Sequence, residues 1–285
     1  MRFYTAQPIQ LNGNASMNEE KGYLDVPGGR LYYEVTGSGT PLALIHAGVA
    51  NLRMWDSQVP VFAKEYRVIR YDTRGYGRTE TDDVSFSNRA DLAALLDHLG
   101  ESSASVLGIS RGGIIALDFT LEQPDRVDAL IVAAGGIGGL QMESNPESEA
   151  MWARVERMYE AHEWERLADF ETAFWVDGPG QSPDRVDLSI RDRVHDWILS
   201  NYRAEKPWGK AQPLDPPAAG RLNEIRVATL VLIGDLDEKE TQAACHHLAS
   251  NVPNGRLEVF HGCAHMLNLE QPERFNRLVL EFLPK

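Results

Sequence analysis

The stretch from Ser105 to Leu117 constrains this chain more than any other. A short apolar run rich in β-branched residues stops at Gly108, and helix-compatible apolar spacing resumes at Ile114. Ser110 therefore falls at a sharp strand-to-helix corner. Gly108 and Gly112 flank it without side chains, so strand and helix can pass closely while the hydroxyl stands clear of the backbone. The helix N-terminus behind the serine favours negative charge. Taken alone, the pattern also fits an ordinary glycine-rich loop, and the rest of the chain has to decide.

The surrounding rhythm is that of a parallel sheet. Tyr23–Val26 and Leu31–Val35 flank the turn Pro27-Gly28-Gly29-Arg30 and predict an antiparallel hairpin. Continuous apolar runs follow at Pro41–Ile45, Arg67–Tyr71, Ser105–Leu107, Ala129–Ala134, Arg226–Ile233 and Arg256–Phe260. Runs of this kind are buried on both faces of a parallel sheet. Helical spacing lies between them, as at Leu92, Leu95, Leu96 and Leu99, and again at Phe275, Leu278, Val279 and Phe282. The fold class is α/β: a mostly parallel sheet of about eight strands, opened by an antiparallel hairpin and flanked by helices. Residues 1–20 read as a loose polar extension, with Met17 an alternative start to Met1. Residues 21–136 and 222–285 read as the core. Between them, residues 137–221 lose the strand pattern and gather aromatic residues at helical spacing, which predicts a helical cap over one edge of the sheet.

In open parallel sheets the functional crevice lies beyond the carboxyl ends of the strands. The polar residues at those ends are His46 to Gly48, Asp72, Ser110, Asp235 or Asp237, and His265. They include a serine, an acid and a histidine, in that order. A serine hydroxyl becomes a useful nucleophile when a base takes its proton, and imidazole is suited to that near neutrality.

At these residues the chain resembles the α/β-hydrolase superfamily, from about Tyr23 to its end. The matching pieces are His46-Ala47-Gly48, Asp72-Thr73-Arg74-Gly75-Tyr76-Gly77-Arg78, Gly108-Ile109-Ser110-Arg111-Gly112, Gly234-Asp235-Leu236-Asp237 and Gly262-Cys263-Ala264-His265. The resemblance implies Ser110 as nucleophile, His265 as base, and Asp237 in preference to Asp235 as the acid that orients it. It further implies an oxyanion hole from the backbone N–H groups of Gly48 and Arg111. His46 is expected to brace its loop, and Asp72 and Arg74 to fix a turn. Arg111 stands where many relatives carry methionine, leucine or glutamine. Its side chain is expected either to pair with an acid of the insertion or to read a carboxylate or carbonyl on the substrate.

The implied activity is serine hydrolysis of a small carboxylic ester or lactone through an acyl-enzyme. Carbon–carbon bond hydrolysis and cofactor-free perhydrolysis use the same residues, and a ligand sensor with little turnover is the alternative outside catalysis. No metal or cofactor is expected. A formal charge of −14 argues against nucleic-acid and anionic membrane partners. Two cysteines, Cys245 and Cys263, provide no disulfide framework. Together with the polar N-terminus they predict a cytoplasmic protein.

Overall fold

In the computed structural model, residues 18–141, 146–204 and 206–285 are described. The expected hairpin is β1 (Glu19–Val26) and β2 (Gly29–Thr36). Because β1 begins at Glu19, the strand takes in the last residues of the stretch expected to be loose; residues 1–17 lie outside the described residues. Full pairing with β2, Glu19 opposite Thr36, extends the strand into this polar segment. β3 (Thr40–Ile45) is followed by a short helix α1 (Val59–Phe62) and β4 (Tyr66–Tyr71). Two-residue strands β5 (Glu80–Thr81) and β6 (Ser85–Phe86) precede α2 (Asn88–His98), which Ser87 caps by accepting the Ala90 N–H.

β7 (Ala104–Ile109) leads through Ser110 into α3 (Arg111–Glu122), and β8 (Val127–Ala133) follows. Helices α4 (Pro146–Glu160), α5 (Trp164–Thr172) and α6 (Leu188–Arg203) come next, with a π-helical turn at Ala173–Asp177. A two-residue strand β9 (Lys210–Ala211) pairs with β6, inside a region where no strand pattern was evident. Two residues are too few for a period to register. The sheet resumes with β10 (Ala228–Gly234), α7 (Lys239–Asn251) and β11 (Gly255–Phe260), and the chain ends in α8 (Leu267–Glu270) and α9 (Pro272–Phe282).

The main sheet runs β1-β2-β4-β3-β7-β8-β10-β11, with β5 paired to β2. From β4 to β11 all pairs are parallel, whereas β1–β2 and β2–β4 are antiparallel. Every residue of β7 is buried, as expected of a strand covered on both faces. One apolar cluster (Trp55, Phe62, Phe260, Phe275) packs on one side of the sheet and another (Leu92, Leu96, Phe119, Leu248) on the other. The chain steps from β3 outward to β4 and then returns across to β7. That reversal opens a crevice at the carboxyl ends of β3 and β7. His46 to Gly48 follow β3 there, and Ser110 follows β7.

Candidate active site

Ser110 has φ 56° and ψ −120°, in the left-handed half of the backbone map that side-chain-bearing residues avoid. The turn is held from both sides: Ser110 N–H donates to the Ala133 carbonyl at 2.8 Å, and its own carbonyl accepts the Ile114 N–H at 3.1 Å. The flanking glycines are required by contact. A Cβ on Gly108 would lie 2.0 Å from the Gly112 carbonyl oxygen, and one on Gly112 would lie 2.3 Å from that of Ile45.

His265 lies in the turn after β11 and is 2% exposed. Its Nδ1 is 2.8 Å from Asp237 Oδ2 and 3.0 Å from Oδ1, and Oδ1 also accepts the Glu238 N–H at 2.7 Å. A carboxylate on Nδ1 assigns the proton to that nitrogen and leaves Nε2 as the acceptor a base needs. Asp235, two residues earlier, pairs instead with the exposed His261 at 2.9 Å and accepts the Gly262 N–H at 2.8 Å. The Trp175 ring lies 4.4 Å from the His265 ring at 42° and so bounds its position from the α5 side.

His46 is fully buried. It donates through Nδ1 to the Ala47 carbonyl at 2.7 Å and accepts the Thr73 N–H on Nε2 at 3.0 Å. Burial pushes its pKa down to about 3, and the Arg111 charge acts in the same direction. A neutral imidazole with both nitrogens engaged braces the loop. Gly48 follows in a turn closed by Ala50 N–H to Ala47 carbonyl at 3.1 Å. From α6, Asn201 Nδ2 donates to the Ala50 carbonyl at 3.1 Å and fastens that helix to the same loop. Arg111 is the first residue of α3, where a backbone N–H has no acceptor within the helix. Asp72 is occupied by turn making: it accepts the Leu52 N–H at 2.8 Å and the Arg78 N–H at 2.7 Å, and burial raises its pKa to about 6.

The Arg111 guanidinium donates to Thr73 Oγ1 at 2.6 Å and to Asn88 Oδ1 at 3.3 Å, and stands 4.9 Å over the Tyr76 ring. Among the described residues no carboxylate, and so no described acid of the insertion, pairs with it. Neutral oxygens and an aromatic face meet its donors and charge instead. The guanidinium also lines a 240 Å³ cavity with Asn88, Ile114 and Asp118.

One acid was not legible from spacing. Glu171, in the last turn of α5, is 8% exposed and accepts the Tyr202 hydroxyl on Oε1 at 2.9 Å. Burial raises its pKa to about 7. The available signal was its setting, an acid in the aromatic run Phe170, Phe174 and Trp175. Among the described residues no group of three or more His, Cys, Asp or Glu side chains is arranged to hold a metal, and no helix is long and apolar enough to cross a membrane.

Residues 42–278 match the model of the Alpha/beta hydrolase family. The 2-hydroxy-6-oxononadienedioate/2-hydroxy-6-oxononatrienedioate hydrolase of Burkholderia vietnamiensis is 31% identical over 269 residues, 89% of this chain and 91% of that protein. Among solved structures, a thermophilic esterase from Thermogutta terrifontis superposes with a TM-score of 0.75 at 26% identity, over 92% of this chain and 97% of that one. The enol-lactonase of Burkholderia xenovorans has the same fold, with a TM-score of 0.76 at 23% identity over 93% of this chain and all of that one.

Proposed function

The chain belongs to the alpha/beta hydrolase family, and on that premise we propose that it is a serine hydrolase cleaving a small carboxylic ester or lactone at Ser110. The observation that carries the reading is the buried His265–Asp237 pair, with Nδ1 2.8 Å from the carboxylate, after the carboxyl end of β11 as Ser110 in its strained turn is after that of β7. In this mechanism Ser110 Oγ attacks the substrate carbonyl and its proton passes to His265 Nε2. Asp237 holds the tautomer and stabilises the imidazolium. The N–H groups of Gly48 and Arg111 receive the oxyanion. Collapse expels the alcohol, which takes the proton from His265. Water, deprotonated by the same imidazole, then releases the acid from the acyl-serine. Residues 137–221 act as a cap that bounds the acyl pocket, with Trp175 in its wall.

A second reading, hydrolysis of a carbon–carbon bond beside a keto group, is favoured by the 31% identity to a protein named for oxo-dioate substrates. It begins with attack on the same kind of carbonyl. The Arg111 side chain supports substrates carrying a carboxylate or polar carbonyl, since its hydrogen bonds to described residues go to neutral oxygens. The test is a fluorophosphonate probe followed by a panel of esters, lactones and vinylogous diketones, each run beside Ser110→Ala. The reading expects labelling of Ser110 and ester or lactone turnover that Ser110→Ala abolishes. Turnover of diketones alone overturns the ester assignment, and an unlabelled Ser110 overturns the serine mechanism.

A further inference from the structure

The relay of Ser110, His265 and Asp237 leaves one buried acid unused. Glu171 lies one helical turn before Trp175, and Trp175 packs on the His265 ring at 4.4 Å, so the end of α5 runs across the candidate site. Its partner Tyr202 neighbours Trp208, which packs edge-on against Tyr76 at 4.9 Å. Tyr76 also interacts electrostatically with Glu171. The Tyr76 hydroxyl lies 3.5 Å from where a Cβ on Gly48 would stand, and the Arg111 guanidinium covers its ring. Glu171 is thus linked through Tyr202, Trp208 and Tyr76 to the Gly48 loop and Arg111, and stands four residues before the tryptophan that packs on His265.

Oε1 accepts the Tyr202 hydroxyl, and no described residue is hydrogen-bonded to Oε2, which leaves that oxygen available to another partner. No ion pair with a described cation holds the group ionised. Tyr202 from α6, Tyr159 from α4 and Tyr76 from the loop after β4 are the titratable groups facing this cluster, with Arg111 beyond Tyr76. Burial without a cation favours the neutral acid, and a neutral carboxyl is a hydrogen-bond donor.

We propose that Glu171 contacts substrate and sets specificity, donating a hydrogen bond from Oε2 to a keto or carboxylate oxygen on the acyl chain beyond the scissile carbonyl. An ammonium group is a poor fit, because it would require the ionised acid and would meet the Arg111 charge. Two donors, one neutral and one cationic, instead suit an acyl chain bearing oxygen. The inference rests on the reading of Ser110 as nucleophile.

The test compares 4-nitrophenyl 4-oxopentanoate with 4-nitrophenyl pentanoate, which differ by one keto oxygen. The readout is the ratio of kcat/KM values from pH 5.5 to 8.5. At low pH the keto ester is expected to be preferred about threefold to tenfold, the worth of one ordinary neutral hydrogen bond. With the Glu171 pKa raised to about 7, the donor is present below that pH and the preference falls as pH rises through it. Glu171→Gln keeps an N–H donor at the position, so it should retain the preference and remove its pH dependence. Glu171→Leu should bring the ratio to about one. Because each ratio is internal to one protein, partial loss of folded material cancels. All proteins are first labelled with a fluorophosphonate on a small aliquot. Absence of labelling overturns the nucleophile reading and this inference with it. Labelling with no keto preference, or with an equal preference in Glu171→Leu, overturns the role of Glu171 alone.

Discussion

Asp237→Asn is the sharpest perturbation of the proposed relay, because the surroundings dictate how the amide must sit. Asp237 Oδ1 accepts the Glu238 N–H at 2.7 Å, so the asparagine has to keep its carbonyl oxygen there; the opposite rotamer would point one donor at another. Its NH₂ then takes the place of Oδ2, 2.8 Å from His265 Nδ1. A donor at that distance forces Nδ1 to accept, which moves the ring proton to Nε2. The imidazole then cannot take the Ser110 proton. A wrong-tautomer defect of this kind costs about 10⁴ in kcat, roughly 5.4 kcal/mol at 1.36 kcal/mol per decade. The assay is kcat on an ester that the wild type turns over, with thermal unfolding to show that the variant is folded. Asp235→Asn is the contrast. It loses only a contact to His261, whose side chain is 82% exposed, and activity should stay within about threefold. A folded Asp237→Asn within tenfold of wild type, or Asp235→Asn falling as far, would refute the assignment.

Two further perturbations address the frame that carries the site. Arg74 is bidentate to Asp91 at 2.7 and 2.9 Å and also donates to the Gly28 and Pro27 carbonyls, with both side chains nearly inaccessible. Arg74→Met strands that carboxylate and should cost about 3–5 kcal/mol in urea unfolding at pH 7; a loss below about 1 kcal/mol contradicts the account. His46 has a folded-state pKa lowered to about 3 against an ordinary value of 6.5. The unfolded chain therefore binds the extra proton first. The stability associated with this group is intact above pH 6.5 and declines by about 1.4 kcal/mol per unit as pH falls toward 3. His46→Gln should remove that one-proton slope from the pH dependence of stability, and identical slopes in both proteins would show that His46 is not held neutral.

Much of the fold was legible because its signals are short. The runs Pro41–Ile45, Ser105–Leu107 and Ala129–Ala134 mark strands buried on two faces, and each maps within a few residues of β3, β7 and β8. The two-residue strands β5, β6 and β9 escaped, since pairing rather than composition makes them strands. At the site, the corner at Ser110 announced itself through Gly108 and Gly112, whose missing Cβ atoms are a property of neighbouring residues and hence visible in order. The described partners of the Arg111 side chain were not among those the sequence suggested. Opposite charge is the default partner for a guanidinium, and only packing brought Thr73, Asn88 and the Tyr76 face close enough to replace it.

What the sequence determined by itself is therefore the strand-helix alternation, the elbow at Ser110, and the candidates standing at the strand ends. Periodicity, turn chemistry and glycine spacing act within about a dozen residues and leave a local trace. The tertiary structure decided which acid meets His265, where the Arg111 guanidinium rests, that Trp175 packs on the His265 ring, and that Glu171 is buried against Tyr202. Those choices depend on how α5 and α6 pack against loops far away in the chain, and burial is a property of the assembled neighbourhood. No stretch of sequence carries the loss of water that pushes the Glu171 pKa up to about 7; only the folded surroundings impose it.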